Sequence, residues 1–251
     1  MFNFNKINIL KKQNFTIFEI PNFLSEIDYY KIRDNLPDIH LKDVDKKYIL
    51  DKKIGIQPFD GIYDKYILNN EVLKNFHNQV YDEKFLERIF NYFKKEILVS
   101  RKQDYNYYSK LILRKNKFIL KNKKRKFYEK FLYNYIYPSI QYSYMFNDAK
   151  INPHTDSRAK LISLMLYFPD EKFSEEDLKN LGTTFFKNDK SNINNKYETF
   201  ETISDDNFTL PFKPRNLYGF IRNEKAWHAV KPIKIEEGFS RKSINININF
   251  G

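Results

Sequence analysis

Apolar positions follow two different rhythms along this chain, and the rhythm changes near its middle. In the first half, Phe15 to Ile20 alternates as a strand does and is broken by Pro21. Ser25 followed three residues later by Asp28 marks a helix start, and the helix should stop at Leu36, before Pro37. Ile49 to Ile62 carries Gly55, Pro58 and Gly61 and reads as loop with short strands. From Asn70 to Ile97 the apolar residues Val72, Leu73, Phe76, Val80, Phe85, Leu86, Ile89, Phe90, Phe93 and Ile97 recur at helical spacing, predicting one or two amphipathic helices.

From about Phe131 short apolar runs follow one another, separated by polar or proline-containing breaks. They are Tyr135–Phe146, Leu161–Phe168, Thr183–Phe186, Lys196–Ile203, Asn216–Ile221, Ala226–Ile235 and Lys242–Phe250. This is the spacing of an antiparallel β-sandwich or barrel. Glu171–Lys179 reads as a short acidic helix or loop, and 187–195 as a polar loop. The chain therefore divides into a helical lead-in with a basic segment, residues 1–130, and a β core, residues 131–251, packed together as one compact unit.

Composition narrows the chemistry. The 251 residues include 24 Phe and 19 Tyr, enough to build a core and to exclude global disorder. No apolar run is long enough for a transmembrane helix, and the first residues lack the apolar stretch of a secretory signal. There is no cysteine, which excludes disulfides, thiolate metal sites and a cysteine nucleophile and fits a cytoplasmic location. Any metal must be held by carboxylates and the four histidines, His40, His77, His154 and His228.

The net charge of +12 is concentrated between Arg101 and Lys130, where twelve basic residues face two acidic ones amid interleaved aromatics. Such a segment suits an anionic partner, nucleic acid among them, although a solvated basic surface gives the same pattern.

The candidate chemistry lies in the second half. His154 and Asp156, two residues apart on extended backbone, project to one side and can reach one ion. His228 follows 72 residues after Asp156. Two histidines and one carboxylate on one face of a metal leave three positions open, the arrangement suited to Fe(II) enzymes that bind O2 and a cosubstrate. Thirteen residues beyond His228, Arg241 and Ser243 open a strand in which Asn245, Asn247 and Asn249 share their face, while Ile244, Ile246, Ile248 and Phe250 share the other. An arginine and a hydroxyl on the metal-facing side could grip a dicarboxylate through charge-assisted hydrogen bonds.

These residues, taken in order from Tyr135 to Phe250, resemble the iron(II)/2-oxoglutarate-dependent dioxygenases, particularly the branch related to prolyl 4-hydroxylases. The elements are the tyrosine-rich QYSYMF, Pro153-His154-Thr155-Asp156, LISLMLYF, LGTTFF, NLYGFI, Trp227-His228 and Arg241-x-Ser243. The resemblance implies a mainly β fold, a double-stranded β-helix (jelly roll, cupin-like) flanked by helices. It implies Fe(II) on His154, Asp156 and His228, and 2-oxoglutarate whose far carboxylate pairs with Arg241 and Ser243. Tyr142 or Tyr144 would add a hydroxyl contact; both have the same parity. The implied reaction consumes O2 and 2-oxoglutarate, releases succinate and CO2, and hydroxylates a C–H bond of a small-molecule or peptidyl substrate. Many relatives place a lysine about ten residues after the distal histidine; here Gly238 stands there, so the anchor passes to Arg241. Asp156 is retained, which disfavours the halogenating variant of the family.

Two other readings use the same residues. An inactive jelly roll could bind nucleic acid or another anionic partner through 101–130. A cupin-like metal enzyme without 2-oxoglutarate would leave Arg241 without a role.

Overall fold

The computed structural model describes residues 2–11, 15–102, 105–118, 132–187, 197–203 and 207–251. Two sheets face each other. The larger contains β1 (Asn8–Lys11), β2 (Ile17–Ile20), β3 (Ile49–Leu50), β4 (Lys53–Ile56), β5 (Lys115–Phe118), β6 (Tyr133–Met145), β8 (Lys160–Phe168), β11 (Leu217–Ile221) and β13 (Arg241–Phe250). Its order is β1-β2-β11-β8-β13-β6-β4-β3, with β5 parallel to the start of β6. The smaller sheet is β10-β9-β12-β7, built from β7 (Ile151–His154), β9 (Thr184–Phe186), β10 (Asn207–Thr209) and β12 (His228–Val230). Apart from β5, all pairings among the described residues are antiparallel. The result is a jelly roll whose larger sheet is extended by strands from the N-terminal half, β2 pairing with β11 and β4 with β6.

Alternation assigns each face. On β13, Ile244, Ile246, Ile248 and Phe250 join Ile136, Ile140, Tyr142, Tyr144, Ile162 and Leu166 in one apolar layer. Helices α3 (Glu71–Val80), α4 (Glu83–Tyr92) and α5 (Lys94–Arg101) cover that layer with Leu73, Phe76, Leu86, Ile89, Phe90, Phe93 and Ile97. The opposite face carries Met145, Met165, Tyr167, Tyr218 and Phe220, which meet Phe185, Phe212 and Val230 between the sheets. Burying a large apolar side chain contributes about 1.5–3 kcal/mol, so the isoleucine face of β13 is strongly committed.

The helices form where the spacing placed them, with one difference. The stretch 70–97 yields three helices, because it is broken twice: at Asp82, whose carboxylate accepts the Lys84 N–H at 2.7 Å and caps α4, and at Phe93, which leaves the helical conformation between α4 and α5. Asn70 caps α3 in the same way, and Ser25 caps α1 (Glu26–Asn35), accepting the Asp28 N–H at 3.1 Å. Short α2 (Gly61–Tyr63) runs into a π-helical turn, Asp64–Leu68. The basic segment forms α6 (Tyr105–Leu113) and β5, and its lysine run, 121–126, lies outside the described residues. The acidic stretch after β8 is α7 (Glu175–Asn180), capped by Ser174 and Asp177.

Two strand expectations fail for local reasons. Tyr197–Ile203 is not a strand: Thr199 and Thr202 close a turn, the Thr199 N–H donating to Thr202 Oγ1 at 3.1 Å. Ala226–Ile235 shrinks to β12, because Pro232 has no N–H to continue the ladder.

Gly182, at the entry to β9, is fixed by close approach. A Cβ there would lie 1.6 Å from the Leu210 carbonyl oxygen, whereas one at Gly61 would meet nothing closer than 3.8 Å. Gly182→Ala should destabilise the protein by at least about 2 kcal/mol in urea unfolding, with Gly61→Ala near neutral. Equal midpoints for the two variants would contradict this packing.

Candidate metal and anion site

The register within the smaller sheet builds the site. His228 on β12 lies directly opposite His154 on β7, so both imidazoles stand on the same face of the small sheet. Their ring centroids are 4.3 Å apart. Asp156 follows β7 by two residues and brings Oδ1 to 4.0 Å from His228 Nε2. One ligand atom from each of the three lies within 4.8 Å of the other two. Among the described residues this is the one such cluster.

Each ligand is oriented from behind. His154 Nδ1 donates to the Asn152 carbonyl and His228 Nδ1 to the Ala226 carbonyl, both at 2.9 Å. A carbonyl can only accept, so both Nδ1 atoms carry the proton and both Nε2 lone pairs are free for an ion. Burial lowers both imidazole pKa values. That of His228 falls to about 3, through burial first and then the nearby His154, against the opposing effect of Asp156. Both rings are therefore neutral at physiological pH, the form that ligates metal.

Asp156 is buried, which by itself raises a carboxyl pKa. The Lys160 ammonium and the two imidazoles outweigh burial and hold it below the usual carboxylate range. Lys160 Nζ donates to Oδ1 and Ser163 Oγ to Oδ2, each at 2.5 Å. Arg222 Nε donates to the Asp156 backbone carbonyl at 2.9 Å and fixes the turn. The donor set of two neutral imidazoles and one ionised carboxylate fits a divalent first-row metal.

The triad lines a cleft of about 200 Å3 between the sheets, together with Lys53, Gln141, Ser143, Lys160, Arg241, Asn245 and Asn247. Arg241 is 3 % exposed. Its Nε donates to the Leu181 carbonyl at 2.5 Å, and its Nη1 contacts Ser243 Oγ at 3.3 Å and Met145 Sδ at 3.7 Å. The guanidinium lies 5.2 Å from the Tyr167 ring and 5.1 Å from the Phe212 ring. Burial lowers its pKa against the favourable effect of Tyr167. Among the described residues no carboxylate pairs with it.

The structure thus brings His154, Asp156, His228, Arg241 and Ser243 to one cleft. It does not bring Tyr142 or Tyr144. Strand parity, which equates those two, turns both to the helix-covered face; Tyr142 packs against Tyr63, with ring centroids 6.1 Å apart. The cleft-facing residues of β6 are Gln141 and Ser143. His77 is bound to Tyr63, Nδ1 to hydroxyl 2.7 Å, and His40 lies near Asp38; neither reaches the cleft. Trp227 packs with Phe186 and Ile203.

Three contributors were not singled out from sequence. Ser163 was the polar exception inside the apolar run LISLMLYF, a readable signal. Gln141 follows from β6 parity once its register is known. Lys53 had no local signal, because only the pairing of β4 with β6 carries it to the cleft.

No protein-family model and no curated protein matches the sequence. Solved structures do resemble the fold. HygX from Streptomyces hygroscopicus, solved with nickel and 2-oxoglutarate bound, aligns with TM-score 0.50 and 7% identity, over 93% of this chain and 82% of that one. A second HygX structure, which also holds hygromycin B, aligns with TM-score 0.49 and 10% identity, over the same shares. A Pseudomonas putida prolyl-4-hydroxylase aligns with TM-score 0.48 and 10% identity, over 93% of this chain and 91% of that one. At such identity the likeness to the HygX structure with TM-score 0.50 shows a shared fold alone.

Lys160 is the countercharge of Asp156 when no metal is present, so the two cations should substitute for one another energetically. Lys160→Met should destabilise the metal-free protein by about 1–2 kcal/mol, after allowance for the partial exposure of Lys160. Added Ni(II) should then raise the melting temperature more in the variant than in the wild type. Equal nickel-induced shifts would show that Lys160 does not balance Asp156.

Proposed function

We propose that the chain is an Fe(II)- and 2-oxoglutarate-dependent oxygenase that hydroxylates a C–H bond of a small molecule. The observation that carries this reading is the pairing, in one cleft, of a two-imidazole, one-carboxylate cluster with a buried arginine that has no carboxylate partner among the described residues. A metal alone would explain the cluster. The buried guanidinium calls for a second, anionic ligand entering beside it.

His154, Asp156 and His228 would hold the iron. Arg241, supported by Ser243, would take the far carboxylate of 2-oxoglutarate, leaving the near carboxylate and keto oxygen directed at the metal. Iron(II) with 2-oxoglutarate and O2 supplies an oxidant able to hydroxylate an unactivated C–H bond, with succinate and CO2 released. The protein contributes position and exclusion of water. The two Nδ1–carbonyl bonds keep the imidazoles aimed, and Ser163 holds the rotamer of Asp156. Phe220, Met165 and Val230 form the dry wall beside the ligands. No additional proton-transferring side chain is needed for the hydroxylation itself.

The test is an anaerobic titration of the Fe(II) protein with 2-oxoglutarate, followed by the visible charge-transfer band of the chelate. The band should form with wild type and be lost in His228→Ala. Arg241→Gln should keep the iron and weaken 2-oxoglutarate by roughly a hundredfold, the consequence of losing about 3 kcal/mol from a buried ion pair. Tyr142→Phe and Tyr144→Phe should leave the affinity unchanged. An iron-loaded wild type without the band would refute the assignment.

A further inference from the structure

The cleft contains one cation more than the proposed chemistry uses. Its charged groups are Lys53, Lys160 and Arg241 against the single acid Asp156. Lys160 is bound to Asp156 at 2.5 Å. Arg241, on the reading above, takes the cosubstrate. Lys53 remains. Its amine has only a long contact, 3.4 Å to Gln141 Oε1, and no acid pairs with it among the described residues.

The amine's hydrogen bond is to Gln141 and not to a group that holds Arg241. Arg241, Met145 and Lys53 are neighbours in one row across β13, β6 and β4. The Lys53 side chain nevertheless turns along the sheet to Gln141, whose row contains Asn245, four residues from Arg241 along β13. Gly55 makes the turn possible: a Cβ there would lie 2.8 Å from Gln141 Nε2, so the bare backbone lets the amide lie across β4 beside Lys53. Asn245 and Asn247 line the same cleft, and their side-chain amides have no hydrogen-bond partner among the described residues. The result is an ammonium flanked by amide groups with hydrogen-bonding capacity to spare.

We infer that Lys53, with Gln141 and Asn245, forms a second anion subsite that receives a carboxylate or phosphate carried by the substrate. An oxyanion there would neutralise an otherwise uncompensated amine, and the amides of Asn245 and Asn247 would take its remaining oxygens or adjacent hydroxyls. Burial, and then the charges of Arg241 and Lys160, push the Lys53 amine down to about 8, which is the strain a bound anion would relieve. The substrate class that follows is a small acidic molecule, and a polycation would be repelled.

The inference rests on the oxygenase reading only for the assignment of Arg241, and the experiment keeps the two apart. Inorganic phosphate and, separately, acetate are titrated calorimetrically into protein loaded with Ni(II) and 2-oxoglutarate, and 2-oxoglutarate binding is measured independently for every variant. At least one probe should bind saturably. Lys53→Gln should weaken it tenfold or more, the loss of one charge-assisted hydrogen bond, with 2-oxoglutarate affinity unchanged. Lys53→Arg should retain the probe, and Arg241→Gln should bind 2-oxoglutarate roughly a hundredfold more weakly while still binding the probe. Phosphate binding more tightly marks a phosphoryl group as the source, and acetate binding as well or better marks a carboxylate. Binding of neither probe to the loaded wild type would overturn the subsite. So would a Lys53→Gln variant that loses 2-oxoglutarate as Arg241→Gln does, since Lys53 would then belong to the cosubstrate. A wild type that binds phosphate through Lys53 but never 2-oxoglutarate would sustain the subsite and reject the oxygenase.

Discussion

The register of β13 is the constraint on which the rest of the structure depends. This strand is paired on both sides along nearly its whole length, with β6 and with β8, and it is covered on both faces. Its isoleucines form the floor under the helices, and its alternate residues form the floor of the cleft. A slip of one residue would exchange the two sets. Arg241, Ser243, Asn245 and Asn247 would enter the apolar layer against Phe76 and Phe90, and four large apolar side chains would line the cleft. Each polar group so buried without a partner costs about 1–3 kcal/mol and each charge more. The fold and the chemistry are therefore selected by the same alternation, and neither can be altered alone.

A second register, between β7 and β12, does for the candidate metal ligands what β13 does for Arg241 and Ser243. His154 and His228 are directly paired, so their separation is set by the backbone ladder and not by two flexible side chains. The carbonyls of Asn152, in β7, and Ala226, in the turn before β12, each two residues before its histidine, then fix each ring. That repetition is local geometry used twice.

How much of this was legible follows from which information is local. The alternation in KSINININF reads directly, and it correctly separates Arg241 and Ser243 from the isoleucines. The helix start at Ser25 reads directly too, since a capping side chain acts on its own next turn. The break at Asp82 was equally local and was hidden only by continuous apolar spacing on both sides. Parity within β6 was visible, but its sign was not. Tyr142 and Tyr144 stand on the helix side because β6 takes its facing from β13, 100 residues later, and no pattern inside QYSYMF contains that pairing. Lys53 was beyond reach for the same reason, being one lysine among many until β4 is laid against β6.

On the proposed reading, the burial of Arg241 without an acidic partner among the described residues keeps the cleft open for a ligand. A carboxylate built in beside it would satisfy the guanidinium and close the site. The protein uses weaker compensation: the Leu181 carbonyl, the Ser243 hydroxyl, the Met145 sulfur and the faces of Tyr167 and Phe212. Carbonyl and hydroxyl contacts satisfy individual N–H donors, and the rings add cation–π attraction worth about 0.5–2 kcal/mol. None of these groups carries a negative charge. The guanidinium is thereby held in one orientation while its charge stays uncompensated, so an incoming carboxylate finds a donor already aimed and already stripped of bulk water. On that reading the desolvation of the cation is met during folding and does not recur when the ligand binds.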